Sequence, residues 1–182
     1  SANSAYSAMG SQRELVQMMS YEPMILIVAI GFYMSTNSFS VADIISAKMS
    51  AVAFTPGIFL GFLYILTIKL RKSPFDISTS HHAHQEMVKG LTVELSGPVL
   101  GIMEVAHWYE NIFLIGVIAI FIINAAWWSW IVALAVCAIA YFFEILIDNT
   151  FARVKWKVML KVTWIVAFVL GIINLFILSY IK

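Results

Sequence analysis

Apolar runs long enough to cross a bilayer constrain this chain more than any other feature. They extend from Pro23 to about Phe39, Ala51 to Ile68, about Pro98 to Ala126, Trp130 to Ile147 and Val162 to Ile181. A helix needs about 20 predominantly apolar residues to span the hydrocarbon core. The chain is 62% hydrophobic and 12% charged, with mean hydropathy +0.90, against a usual charged content of about 25%. Strands of a membrane β-barrel would show about 10 residues of alternating polarity instead. The expectation is an all-α integral membrane protein in a single membrane domain, residues 1–182, with about five transmembrane helices. One of these, 98–126, exceeds the bilayer thickness at about 1.5 Å per residue and is expected to tilt or kink.

Against this background a polar insert stands out, running from Arg71 through Glu86 and on past Lys89 and Glu94 to Gly97 and Pro98. It contains His81, His82 and His84, three of the chain's four histidines. A membrane protein that gathers titratable groups in one segment is suited to proton, ion or docking chemistry there. Before the first span, Ser1–Tyr21 is short and mixed, and reads as a surface helix. Glu22 and Pro23 then open the first span, with the carboxylate at the positive end of the helix dipole.

Basic residues gather at Lys69, Arg71 and Lys72 and again at Arg153, Lys155, Lys157 and Lys161. The positive-inside rule puts both groups on the cytoplasmic side of the cell membrane. Five crossings satisfy this. The insert, 70–96, and the loop 148–161 are then cytoplasmic. Trp127, Trp128 and Trp130 form an outer turn at headgroup level, with Ser1 inside and Lys182 outside. Net charge is +1, which offers nothing for nucleic acid. The single cysteine, Cys137, cannot ligate an iron–sulfur cluster, so any electron transfer requires another chain.

Several ionisable groups fall within or beside the spans, where they are costly and usually face a bundle interior or a water-filled cavity. Glu104 and His107 are three residues apart on one helix face, and Glu110 follows one turn later. This succession reads as a proton or cation path, set against a Glu104 that is merely solvated near the headgroups. Glu86 lies three residues before Lys89, a local ion pair in the simplest reading, and Glu94 follows. Glu144 and Asp148, four apart at a helix C-terminus, suit proton uptake, or pair with Arg153 or Lys155. His82 and His84 would share one side of an extended segment. Four convergent metal ligands, or three with water, are not evident there. A proton relay, given histidine's titration near pH ~6.5, or a subunit-contact loop fits better. Gly97 and Gly101 have the spacing that admits a close helix neighbour, and Asn174 that of an interhelical hydrogen bond. No triad order, phosphate loop or nucleotide motif appears, so a self-contained enzyme is not expected.

Lys72-Ser73-Pro74-Phe75-Asp76, Glu86-Met87-Val88-Lys89-Gly90 and Thr92-Val93-Glu94-Leu95-Ser96-Gly97 together resemble the signature of one family. That family is the heel subunit of respiratory complex I and its hydrogenase relatives. Tyr21-Glu22, Asp148 to Arg153 and Lys157 to Lys161 extend the resemblance over nearly the whole chain. It implies a membrane-arm subunit beneath a peripheral redox module. It also implies that the chain corresponds to the last five of about eight spans. Complex I members carry an acidic run after Pro-Phe-Asp. Here Ser78 to Gln85 holds the histidines instead, a form similar to energy-converting [NiFe] hydrogenases of the Ech, membrane-bound and formate-hydrogenlyase types.

The resemblance implies an anchor and ion-path subunit that couples ferredoxin- or formate-driven hydrogen chemistry to H⁺ or Na⁺ movement. Glu22, Glu86, Glu94 and Glu104 match the family's acidic positions at the start of that path, with His107, Glu144 and Asp148 beside them. Lys72, Pro74, Phe75, Asp76, His81, His82, His84 and Arg153 would form the docking surface. The chain itself would hold no cofactor. The [NiFe] centre and iron–sulfur clusters would sit in hydrogenase large and small subunits, next to antiporter-like membrane subunits. The alternatives are the heel subunit of a quinone-reducing complex I and a purely structural anchor.

Overall fold

The structure is a computed structural model and describes residues 5–71, 75, 92, 95–152 and 154–181. Among the described residues there is helix and no strand. The elements are α1 (Ala5–Thr36), α2 (Val41–Ser46), α3 (Ala51–Phe54), α4 (Pro56–Lys69), α5 (Gly97–Ile122), α6 (Trp128–Thr150), α7 (Trp156–Val166), a π-helical segment (Ala167–Ile172) and α8 (Ile173–Ile181). The last three run on as one rod. By length and composition four helices can cross a membrane, at Ser7–Thr36, Gly97–Ile122, Trp128–Thr150 and Trp156–Tyr180, and α4 is a shorter apolar helix. The protein is an all-α, multi-pass membrane protein.

The first boundary differs from the sequence reading. Pro23 does not open a span but lies inside α1, which is continuous from Ala5. Glu22 therefore sits mid-helix, away from the positive dipole end. An internal proline forfeits one backbone hydrogen bond and costs about 3 kcal/mol. Burial of Tyr21, Met24, Ile27 and Val28 on either side of it offsets that cost. The surface helix and the first span are thus one continuous element. It ends at Asn37, whose φ of 57° turns the chain into the left-handed region. Asparagine is one of the few residues to accept that conformation. Its N–H returns to the Tyr33 carbonyl at 2.6 Å.

The second apolar run is also broken. Thr55, buried, bonds the Ala51 carbonyl through its hydroxyl (2.8 Å). Pro56 then starts α4 in the first-turn position where its missing N–H is harmless. Glycines on α4 allow close approach to its neighbours. A Cβ at Gly57 would meet the Leu170 carbonyl oxygen at 2.8 Å, and one at Gly61 would run into Met24 Cε. At Gly97 and Gly101 nothing among the described residues lies within 4 Å of a Cβ, and Gly97 has φ +57° where α5 begins. Asn174 is buried against Gly57, and its Oδ1 accepts no hydrogen bond among the described residues. The interhelical bond expected of it through that atom is absent there.

The core lies where α1, α4 and α5 meet. Phe121 is its hub, 1% exposed, with ring centroids 4.4 Å from Phe32, 5.3 Å from Phe59 and 5.9 Å from Phe62. The rod 156–181 packs on α1 and α4, whereas α6 packs chiefly on α5 and leaves most of its surface open. The turn between α5 and α6 is closed by Ser129, whose Oγ accepts the Asn124 N–H at 3.1 Å and donates to the Ala126 carbonyl at 2.6 Å. Trp127, Trp128 and Trp130 are all exposed there. An exposed indole cluster at the end of two spans is the expected arrangement at headgroup level.

Candidate ion path and buried carboxylate

One face of α1 carries the first part of the site. Glu14, Gln17 and Tyr21, spaced three and four apart, lie on one side of the helix and meet the end of α4 in turn. Glu14 Oε1 accepts from Arg71 Nη2 at 2.8 Å. Gln17 Nε2 donates to the Ile68 carbonyl at 2.9 Å, one of the carbonyls that a helix C-terminus leaves without an intrahelical partner. The Tyr21 ring lies under Lys69 Nζ at 4.4 Å from its centroid. Arg71 has φ 53°, an unusual conformation for a side chain of its size, and its pairing with Glu14 holds the chain there as it leaves α4.

Lys69 also crosses to α5. Its Nζ is 2.5 Å from Glu110 Oε1, and the two side chains are only 18% and 35% exposed. The other carboxylate oxygen, Oε2, is 3.8 Å from His107 Nδ1. Glu110 is therefore shared between a permanent cation and a titratable one. The cluster Tyr21–Lys69–Glu110–His107 ties α1, α4 and α5 together where the polar insert begins. Sequence reasoning placed Lys69 only as part of a basic cluster. The pairing joins residues 41 positions apart, and no local spacing signals that.

The second part is a cavity of about 510 Å³ between α4 and α6, within the range of about 300–1,000 Å³ typical of ligand pockets. Leu63, Tyr64 and Thr67 wall it from α4, Ala140 and Ile147 from α6, and Phe75 and Val154 close the end. Among the described residues Glu144 is the one carboxylate in this otherwise mainly apolar lining, and it is 3% exposed. Phe75 is itself buried, its ring 5.9 Å from Tyr64 in an edge-on contact. This residue of the insert is thus part of the cavity wall and not a free contact surface.

The remaining expected residues fall in different places. Glu104 is exposed in the early turns of α5, between the exposed Ile102 and Trp108. Glu22 is exposed on α1, on a different side from the buried Tyr21. Neither faces an interior formed by the described residues, so the expectation of a shared bundle interior is not met there. His107 reaches Glu110, and Asp148 is half-buried one turn beyond Glu144. Glu86, Glu94, Lys72, Pro74, Asp76, His81, His82, His84 and Arg153 lie outside the described residues. Among the described residues no group of three His, Cys, Asp or Glu side chains converges as a metal site.

Comparison with known proteins bears on these features. The model of the NADH dehydrogenase family matches residues 1–179. An NADH-quinone oxidoreductase subunit of Geobacter sulfurreducens is 29% identical over 189 residues, which cover 99% of this chain and 56% of that protein. The corresponding NADH-quinone oxidoreductase subunit of Geobacillus kaustophilus is 27% identical over 192 residues, covering 100% of this chain and 56% of that protein. The chain thus spans just over half the length of these curated relatives. Among solved structures, a chain of the membrane-bound sulfane sulfur reductase, an archaeal respiratory membrane complex, superimposes with a TM-score of 0.78. It is 19% identical, and the match covers 94% of this chain and 61% of that one, so it speaks to the fold. A helical membrane bundle matched to a family model along almost its whole length leaves one assignment: the chain belongs to the NADH dehydrogenase family.

Proposed function

We propose that this chain is a membrane anchor and ion-path subunit of a multi-subunit respiratory complex. The observation that carries this reading is the Tyr21–Lys69–Glu110–His107 cluster, which links three membrane helices at the root of the polar insert. Glu104 lies one to two turns from it along α5, exposed among apolar side chains. A carboxylate facing lipid is expensive, so that face of α5 is suited to a partner subunit or a water-filled path. From Glu104 through His107 and Glu110 to Lys69, ionisable groups descend one helix and step onto the next. The insert and the loop 148–161 would face the cytoplasm, following the distribution of lysine and arginine.

The redox partner in this proposal is of the energy-converting [NiFe] hydrogenase type, supplied with electrons by ferredoxin or formate. Histidines at 81, 82 and 84, where complex I members carry an acidic run, support that choice. The nickel–iron and iron–sulfur centres would belong to the partner chains, and antiporter-like subunits would extend the path for H⁺ or Na⁺. A second reading, a quinone-reducing complex, is favoured by the names of the relatives, which are NADH-quinone oxidoreductase subunits. The subunits that co-purify decide between them. A large subunit with paired CxxC nickel ligands supports the hydrogenase, and activity blocked by quinone-site inhibitors supports the alternative.

The ion path has its own test. In vesicles carrying the assembled complex, Glu104→Gln should lower ion uptake per redox turnover while the complex still assembles. Unchanged uptake would leave only the structural anchor.

A further inference from the structure

We propose that Gln17 is a second acceptor for the Lys69 ammonium: when Glu110 takes up a proton, Lys69 leaves α5 and donates to Gln17 Oε1 on α1. Gln17 is 3% exposed. Its Nε2 donates to the Ile68 carbonyl at 2.9 Å, whereas its Oε1 is buried and accepts no hydrogen bond among the described residues. A buried carbonyl oxygen without a donor is costly, and such exceptions are rare enough to call for a reason. The Ile68 carbonyl belongs to the peptide bond that leads into Lys69, so the Gln17 carboxamide lies within the sweep of the lysine side chain. Tyr21, one turn beyond Gln17 on the same face of α1, already has Lys69 Nζ 4.4 Å from its ring centroid.

Lys69 is the mobile partner. A lysine ammonium has three donors and no acceptor, on a flexible four-carbon stem. At 18% exposure it needs acceptors within the protein, and Glu110 Oε1 now supplies one at 2.5 Å. Around it among the described residues stand Tyr21 of α1 and His107 and Glu110 of α5, while Glu14 and Arg71 are paired with each other at 2.8 Å. A proton on His107 Nδ1 reaches Glu110 Oε2, 3.8 Å away, directly or through one water. The imidazole returns to neutral, the carboxylate becomes a carboxylic acid and Lys69 keeps its charge. The opposite charge that held the ammonium on α5 is then gone, and Gln17 Oε1 offers it a buried acceptor on α1. Each proton that passes thus moves the end of α4 from one neighbour to the other. The exchange rests on the ion-path reading, which supplies the proton.

Glu110→Gln stands in for the protonated carboxyl. In a cryo-EM structure of the intact complex carrying it, Lys69 Nζ should lie about 3 Å from Gln17 Oε1. Lys69 still held by residue 110, or turned into solvent, would overturn the proposal. Unfolding of the full chain in mixed micelles gives a separate reading. In the wild type, Gln17→Met removes one hydrogen bond and one unpaired acceptor. In the Glu110→Gln background it also removes the new partner of Lys69, so it should lower the ratio of folded to unfolded chain about fivefold more there. An equal loss in the two backgrounds would show that Gln17 only holds the end of α4, and would overturn the proposal too. Neither measurement reads ion flux, so the exchange and the ion path tested by Glu104→Gln can each fail while the other holds.

Discussion

Glu110→Gln removes the charge that neutralises Lys69 and leaves the shape of the side chain almost unchanged. The cost can be bracketed from the two exposures. An exposed ion pair contributes about 0.2–1 kcal/mol, whereas stripping one partner from a fully buried pair costs about 3–5 kcal/mol. Lys69 is 18% exposed and retains the Tyr21 ring at 4.4 Å, so its orphaned ammonium falls between these limits, at about 2 kcal/mol. Lys69→Met should cost less, about 1 kcal/mol, because Glu110 is 35% exposed, can draw water and still has His107 3.8 Å away. Lys69→Met/Glu110→Gln removes both charges and should recover part of the loss. The double-mutant cycle should give a coupling of about 1–2 kcal/mol. Equilibrium unfolding in mixed micelles measures all four corners. Additivity within about 0.3 kcal/mol would mean that the pair does not join α4 to α5, and the argument for a connected cluster would fail.

Two other substitutions probe the packing that positions the site. Gly57→Ala places a methyl 2.8 Å from the Leu170 carbonyl oxygen, a backbone atom that cannot turn aside, and should cost about 1–3 kcal/mol in the same unfolding assay. A loss below about 0.5 kcal/mol would show that α4 and the rod are not in close contact. Asn174→Leu replaces a buried amide, whose Oδ1 accepts no hydrogen bond among the described residues, by an apolar group of similar size. It should be neutral or stabilising, and a loss above about 1 kcal/mol would reveal a partner for that amide.

The spans were legible because their signal is cumulative: a run of apolar residues survives any single exception. Boundaries were less so. Pro23 is a strong local stop signal, yet the helix continues through it because Tyr21 and Met24 bury against neighbours that are distant in sequence. The same limitation governs the site. Glu104, His107 and Glu110 were visible as a succession along one helix, since local spacing fixes their order. Their partner was not, because Lys69 belongs to another helix and its reach depends on how α4 packs. Glu144 and Asp148 are both legible in the sequence, but the cavity that distinguishes them needs α4 and Phe75 as its facing wall, which no pattern within α6 could report.

The π-helical segment Ala167–Ile172 has a consequence for how the last helix tolerates change in length. Buried positions along the rod fall at Met159, Thr163, Ala167, Gly171, Asn174 and Leu178, separated by four residues up to Gly171 and then by three and four. On a regular helix of about 3.6 residues per turn, each step of four advances the stripe by about 40° and would soon carry it off α1 and α4. The wider turn at 167–172 takes up that drift and returns the stripe to its neighbours. The segment therefore holds close to one residue of slack. Removing a residue within it should tighten the turn to an ordinary helix and leave both flanks facing as before. Removing one between Ile173 and Ile177 should rotate everything beyond it by about 100° and turn Leu178 out of the core. Evolution or engineering can adjust the length of this crossing at the widened turn, and at a far greater cost in the regular helix beyond it.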